Sequence, residues 1–259
     1  MVPSAGGHAV PRRNVLLFDL VGTLVDEASD YESLDAAMEA ARHRFSLPED
    51  ATRLSGDFSL ALMEILRAEE PAPDAEPAGK AEFIPFEDAA KEVFAAVLEV
   101  RGVEATVDDV EWFWSTFVAV QRRVVRPTAD ARPCLEWARQ NGYAAWVVTD
   151  ADPYFVTDVI PATGLDRLWD GVVTAMEAGD PKPEPALFRL ALERAGASPH
   201  EVVMVGDSYE RDVLGARGAG IHRAVLVDRH KARTVDDVPV ISSLLALPAA
   251  LASVVPSVN

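Results

Sequence analysis

Cysteine is almost absent from this chain: Cys134 stands alone in 259 residues. One cysteine excludes an internal disulfide and a cysteine-built zinc site, and it agrees with a reducing compartment. Lysine is nearly as scarce, with four among 24 basic residues against 42 acidic ones, for a formal net charge of −18. Phosphate backbones are bound by basic patches, so no nucleic-acid partner is expected. An anionic substrate would have to find its positive charge at one local site. No apolar run reaches the roughly 18 residues that a spanning helix needs. The opening stretch MVPSAGGHAVPRR reads as a flexible N-terminus over residues 1–13 and lacks the apolar region of a secretory signal. The expectation is a cytoplasmic protein with no membrane partner, either monomer or homodimer.

Hydrophobic residues make up 49% of the chain, enough for a sizeable core. Short, continuous apolar runs recur: NVLLFD (Asn14–Asp19), YAAWVVT (Tyr143–Thr149), DGVVT (Asp170–Thr174), EVVMVGD (Glu201–Asp207) and HRAVLVD (His222–Asp228). Runs of this kind suit strands buried on both faces of a parallel sheet. Helical patterns lie between them at Ala131–Gln140, Pro153–Ala162, Glu184–Ala195 and Glu210–Ala219. The alternation predicts an α/β fold, a Rossmann-like doubly wound parallel sheet covered by helices. Functional residues of such a sheet lie at the carboxyl ends of its strands.

From Glu27 to Arg126 this rhythm stops. Apolar residues recur there at helical spacing, as in Leu34, Ala37, Met38 and Ala41, then Leu60, Met63 and Ile65, then Val93, Phe94 and Val97, then Phe113 and Phe117. The pattern predicts an inserted α-helical domain over 27–126, dividing a core made of 14–26 and 127–259. Within it, Glu69–Ala81 (EEPAPDAEPAGKA) reads as a loop. Trp112, Phe113 and Trp114 read as packing rather than as a base-stacking platform. The C-terminal stretch Val240–Val255 reads as a last strand and helix, without chemistry.

Four short motifs carry the chemistry. Asp19 ends the first run and is followed by Gly22, Thr23 and Leu24 in a tight turn; Thr149 ends the second run. Lys182 lies between two prolines in GDPKPEPALF, and VGDSYERD supplies Asp207 and Asp212. Taken singly, each has an ordinary reading: a helix N-cap, a local hydrogen bond, a solvated charge. Together on adjacent strand ends they form a kit for phosphoryl transfer. A carboxylate can attack phosphorus covalently. Lys182 and Thr149 can bind the transferring group, and the carboxylates Asp19, Asp207 and Asp212 suit Mg2+.

In order and spacing, FDLVGTL, VVTD, DPKPEPALF and VGDSYERDVLGARGAGI resemble the four motifs of the haloacid dehalogenase-like hydrolases, most of which are Mg2+-dependent phosphatases. The resemblance covers nearly the whole chain, and the helical insertion is similar to that family's cap. It implies a hydrolase with Asp19 as nucleophile and Thr149 and Lys182 in the catalytic set. It also implies a small phosphorylated molecule held by Gly22, Thr23, Thr149, Asp150 and Lys182. The Mg2+ ligands would be Asp19, Asp207, Asp212 and the Val21 backbone carbonyl.

One position departs from the pattern. The family's phosphatases place a second Asp two residues after the nucleophile, to protonate the leaving oxygen and activate water, and this chain has Val21. Three readings follow. The first is a phosphatase with an acidic leaving group, or with its acid supplied by Asp26, Asp150, Asp152 or a cap carboxylate. The second is a metal-independent 2-haloacid dehalogenase-type hydrolase, which needs no proton on its leaving group but would not be expected to keep Asp207. The third is a catalytically silent protein that binds Mg2+ and a phospho-ligand. Arg42, Arg44, Arg122, Arg123 and Arg126 are candidates for a second anionic group, or else surface ion-pair partners.

Overall fold

A computed structural model of the chain describes residues 14–67, 84–231 and 235–254. The expected flexible terminus at 1–13 and the Glu69–Ala81 loop lie outside the described residues.

Strand β1 (Val15–Phe18) is followed by four helices: α1 (Ala28–Phe45), α2 (Ala51–Arg67), α3 (Phe86–Glu99) and α4 (Val107–Val124). Helix α5 (Ala131–Gln140) leads into β2 (Ala144–Thr149), and β3 (Gly171–Thr174) runs into the short α6 (Ala175–Ala178). Then come α7 (Pro185–Ala195), β4 (Val202–Gly206), α8 (Gly215–Gly218), β5 (Ala224–Val227), β6 (Val240–Ile241) and α9 (Leu247–Val254). All six strands are parallel, in the order β3-β2-β1-β4-β5-β6. The chain builds outward from β1 first on one side and then on the other. That reversal opens a crevice at the strands' carboxyl ends, beside β1.

The register sets that crevice. Phe18 is level with Val147 on β2 and Val205 on β4, and the Asp19 amide donates to the Val205 carbonyl at 2.9 Å. Alternate strand residues feed two apolar layers, one on each face. Leu16, Phe18, Val147 and Val205 pack toward α5 and α9, and Leu17, Val148, Met204 and Leu226 toward α7. Every residue of β1 and β4 is buried. This is why those strands read as continuous apolar runs rather than as alternating ones.

Helices α1–α4 enclose a separate apolar cluster. Phe94 and Phe113 stack at its centre with ring centroids 3.9 Å apart, both fully buried and each worth roughly 2–3 kcal/mol in burial alone. Trp114 and Phe117 belong to the same cluster, and Arg44 lies over the Trp112 ring, so this aromatic run is packing. Helix α4 starts at a capping box in which Thr106 and Asp109 satisfy each other's backbone amides. The two segments that cross between the helices and the sheet run side by side. Asp26 donates its amide to the Arg126 carbonyl at 2.9 Å, and Thr128 donates to the Leu24 carbonyl at 2.9 Å.

Three details depart from the sequence reading. Along α2 the inward residues are Leu54 and Phe58, whereas Leu60 and Met63 are exposed; the helix is rotated relative to the expected apolar stripe. The expected helix at Pro153–Ala162 is a π-helical turn (Phe155–Val159) followed by a 3-10 turn (Ile160–Thr163) with Pro161 in its first turn. At Glu210–Ala219 the chain forms a π-helical turn (Tyr209–Leu214) before α8. There the Ser208 carbonyl accepts from both Asp212 and Val213 amides, which widens the turn.

Candidate active site

The turn after β1 is built by backbone bonds. Leu20 accepts from the Leu24 and Val25 amides, and Gly22 donates to the Val25 carbonyl, each at 2.8 Å. Gly22 has φ +90°, and a Cβ there would lie 2.5 Å from a carboxylate oxygen of Asp207, so two independent constraints demand glycine. The turn's outward carbonyls are clamped by Arg229, which donates to Gly22 O at 3.2 Å and Thr23 O at 2.6 Å. The same guanidinium forms a two-pronged pair with Asp130, both contacts at 3.0 Å. Asp130 also accepts from the Ser243 hydroxyl and the Leu244 amide. Burial works against ionisation of Asp130, yet Arg229, Ser243 and Leu244 together hold its carboxyl down at about 2.

The turn delivers Asp19 to a trio of acids in which Asp19 and Asp212 are buried and Asp207 is half-buried. Carboxylate oxygens of Asp19, Asp207 and Asp212 all lie within 4.8 Å of one another. The Lys182 ammonium sits among them, donating to Asp19 Oδ1, to Asp212 Oδ1 at 2.8 Å and to the Val148 carbonyl at 3.5 Å. The lysine side chain is 2% exposed and that of Asp212 1%. Removing one member of a buried ionic set typically costs about 3–5 kcal/mol, because its partner is left uncompensated. Asp212 reaches this position because residue 206 is glycine: a Cβ on Gly206 would stand 2.2 Å from the Asp212 carboxylate. The Ser208 amide holds the other Asp212 oxygen at 3.0 Å.

Electrostatics make the trio short of positive charge. Burial pushes the Asp19 carboxyl up to about 7, with Lys182 pulling it down and Asp212 and Asp207 pushing it further up. Burial, and then Asp212, also raise the Asp207 carboxyl. For Lys182, burial opposes the charge, but Asp19 and Asp212 outweigh it and hold the ammonium protonated. Asp19 Oδ2 is buried with no hydrogen-bond partner. An orphaned carboxylate oxygen facing two further carboxylates is a donor set that fits a hard divalent cation.

Beside the trio, Thr149 ends β2 with its hydroxyl oxygen accepting from the Ala151 amide at 3.0 Å, which leaves its proton free to be donated. Asp150 accepts from the Lys182 amide at 2.9 Å and is ion-paired with Arg211. Asp152 is buried and accepts the Glu87 amide at 3.2 Å, joined by that of Phe86; burial raises its carboxyl against the pull of those amides. It therefore ties the segment after β2 to the first turn of α3.

Above these groups lies a cavity of about 580 Å3. Asp19, Thr149, Asp150, Lys182, Asp207 and Asp212 form its floor, with Val21 on the side. The opposite wall comes from the helices, through residues such as Leu34, Phe58, Leu62, Phe86 and Phe117. Two residues expected at the site stand elsewhere. Neither Gly22 nor Thr23 lines the cavity: Gly22 acts through its backbone shape, and the Thr23 side chain is wholly buried behind the turn. The arginines considered for a second anion are also outside the lining. Arg42 is paired with Glu39, Arg44 with Asp109 and Arg126 with Glu32.

Of the acids considered as replacements at position 21, Asp150 and Asp152 are engaged as described, and Asp26 accepts the Ala28 amide at 3.0 Å. Glu27, the first residue past the crossing, lines the cavity from an exposed position. Sequence reading missed Arg211, Arg229 and Asp130. Arg211 was within reach, since it lies inside the VGDSYERD motif. Arg229 and Asp130 had no local signal, being 99 residues apart and joined only by the fold.

A doubly wound sheet that gathers these carboxylates and a lysine beside its first strand defines a class of hydrolase. The profile of the haloacid dehalogenase-like hydrolases matches residues 14–220, and the chain belongs to that family. Over 100 residues it is 41% identical to a phosphoserine phosphatase of Thermus thermophilus, a match covering 39% of this chain and 40% of that protein. It is 32% identical over 113 residues to a glyceraldehyde 3-phosphate phosphatase of Methanothermobacter thermautotrophicus, covering 44% and 50%. The chain thus spans about half or less of the length of these curated relatives. Among solved structures, a HAD phosphatase from Thermococcus onnurineus superposes with TM-score 0.64 at 24% identity, over 94% of this chain and 100% of that one. A 2-haloacid dehalogenase from Pseudomonas syringae gives 0.69 at 24%, over 93% and 99%. These two likenesses establish the fold.

Proposed function

We propose that the chain is a Mg2+-dependent phosphatase acting through a phosphoryl-aspartate on Asp19. The observation that carries this reading is the trio Asp19, Asp207 and Asp212, with an unpartnered oxygen on Asp19 and a single lysine between them. The phosphatases among its relatives support it. Asp19, Asp207, Asp212 and the backbone carbonyl of Val21 would hold Mg2+, which supplies the charge neutralisation that lets a carboxylate approach a phosphate dianion.

The chain's own groups divide the remaining work. Thr149 donates its hydroxyl proton to a phosphoryl oxygen, and the Lys182 ammonium balances the charge that spreads over the others. An oxygen of Asp19 bonds to phosphorus as the bond to the leaving oxygen breaks. Water then attacks phosphorus, releasing inorganic phosphate and restoring the carboxylate. Residues 27–126 act as a cap over a core of 14–26 and 127–259, closing the cavity to bulk water. Val21 moves no proton in either step. For a leaving group that needs one, that absence costs about 10²- to 10⁴-fold.

The test is a panel of alkyl phosphates, acyl phosphates and 2-haloacids, each with and without Mg2+, on wild type and Asp19→Asn. Phosphate release that needs both Mg2+ and Asp19 is expected. Haloacid turnover without metal would overturn the reading in favour of a dehalogenase. Tight Mg2+ and phosphate binding with no turnover would make it a binding protein instead.

A further inference from the structure

We infer that the substrate is a phosphomonoester of an uncharged aromatic alcohol, a phenol whose ring lies against the helical wall of the cavity. This rests on the phosphatase reading above and concerns the half of the substrate that leaves.

Three observations converge. The first is the wall itself. Leu34, Phe58, Leu62, Phe86 and Phe117 face the floor across the cavity, and the polar side chains on that wall, Tyr31, Ser59 and Gln121, are uncharged. Apolar surface of this kind gains by covering an apolar body and loses by stripping water from a charged one. The second is the charge balance of the lining. Its two cations among the described residues are Lys182, held by Asp19 and Asp212, and Arg211, held by Asp150. Its six carboxylates are Asp19, Glu27, Asp150, Asp152, Asp207 and Asp212. A carboxylate or second phosphate on the leaving half would meet no counter-ion and several like charges. The third is Val21, which leaves the departing oxygen without a proton donor at the usual place. A phenol ionises near pH 10, as tyrosine does, about six powers of ten more readily than water. Its oxygen can leave as phenoxide when Asp19 bonds to phosphorus, and take its proton from solvent afterwards. At about 580 Å3 the cavity is in the range that holds a small aromatic ester.

The experiment compares kcat/KM in Mg2+ for phenyl phosphate, 2-naphthyl phosphate, O-phosphoserine, glycerol phosphate and acetyl phosphate. It uses wild type and Leu62→Arg, which places a cation on the wall away from the reacting groups. The expected order puts 2-naphthyl phosphate about tenfold above phenyl phosphate, since their leaving groups are similar in acidity and differ in apolar area. Both aryl esters should exceed O-phosphoserine and glycerol phosphate by about a thousandfold, within the range that acid catalysis spans. In Leu62→Arg the naphthyl advantage should vanish and O-phosphoserine turnover rise, with a far-UV circular dichroism spectrum matching wild type as the control for folding. If the charged or polyol esters match the aryl ones, or Leu62→Arg leaves the naphthyl advantage in place, the inference is wrong. Hydrolysis of acetyl phosphate with none of the aryl esters would sink the inference and spare the phosphatase reading. Hydrolysis of nothing would remove both.

Discussion

The floor and the wall of one cavity are built on opposite principles. On the floor, charged groups are buried and interlocked: Lys182 serves Asp19 and Asp212 at once, and Asp150 accepts from both Lys182 and Arg211. Each side chain is fixed by a neighbour that is also fixed, which is how a site holds reacting atoms in place without reorganising. Across the cavity, the wall offers apolar and aromatic surface from four helices, its charge among the described residues confined to Glu27 at the start of α1. A floor of this kind decides which bond breaks. On the proposed reading, a wall of this kind decides whose bond it is.

The contrast yields predictions that start with the floor. Replacing Asp19 by Asn removes the nucleophile while conserving volume. Phosphate release should fall by at least about 10⁴-fold, with no phosphorylated enzyme detectable by intact-mass measurement. Residual activity within tenfold of wild type would mean that the floor is not the reacting surface. Next, Lys182→Met leaves Asp19 and Asp212 face to face in a buried site and should cost about 3–5 kcal/mol of unfolding free energy in urea titrations. A change under 1 kcal/mol would show the floor to be far less interlocked than the geometry indicates.

Val21 stands where floor meets wall, so its substitution sharpens the comparison. Val21→Asp should raise hydrolysis of alkyl phosphates about 10²-fold while scarcely altering aryl or acyl phosphates. An equal gain on both classes would place the limiting step in hydrolysis of the phosphoryl-aspartate, not in departure of the alcohol. Behind the floor, Asp130 clamps Arg229 onto the turn. Its folded carboxyl lies near 2, below the ordinary value of 3.8, so the linked stability is complete above about pH 4 to 5 and is lost as pH falls toward 2. Asp130→Asn should therefore be less stable than wild type by roughly 2 kcal/mol at neutral pH, with the gap narrowing below pH 4. A gap independent of pH would mean that the residue acts through shape alone. The smallest effect is expected at the rim, where Glu27→Gln should change kcat less than about threefold. A hundredfold loss would locate the missing proton carrier there.

Much of the floor was legible in the sequence because three of its groups stand at strand ends, and parallel strands announce themselves as apolar runs. Asp19, Thr149 and Asp207 follow three such runs directly, and pairing those strands brings the three together without further information. Lys182 and Asp212 needed only the short turns beyond. The wall was not legible. Its residues belong to helices whose apolar positions also build a core of their own, and spacing does not separate the face toward the cluster from the face toward the cavity. Leu60 and Met63 show the cost of that ambiguity: both fit the helical stripe and both are exposed. Thr23 was misplaced for the converse reason, since its motif neighbours reach the cavity while its own side chain turns inward. The Arg229 clamp was invisible because its two halves meet only after the sheet has closed.

The bond from Asp152 to the first amides of α3 has a consequence for motion. Asp152 is three residues from Thr149, on the same short segment, so the strand end proposed to bind a phosphoryl group also holds the first turn of α3. Any movement of α3 would be coupled to phosphoryl binding at Thr149, each favouring the other to the same degree. On the proposed reading, loosening Asp152 would weaken the hold on phosphate and speed its departure.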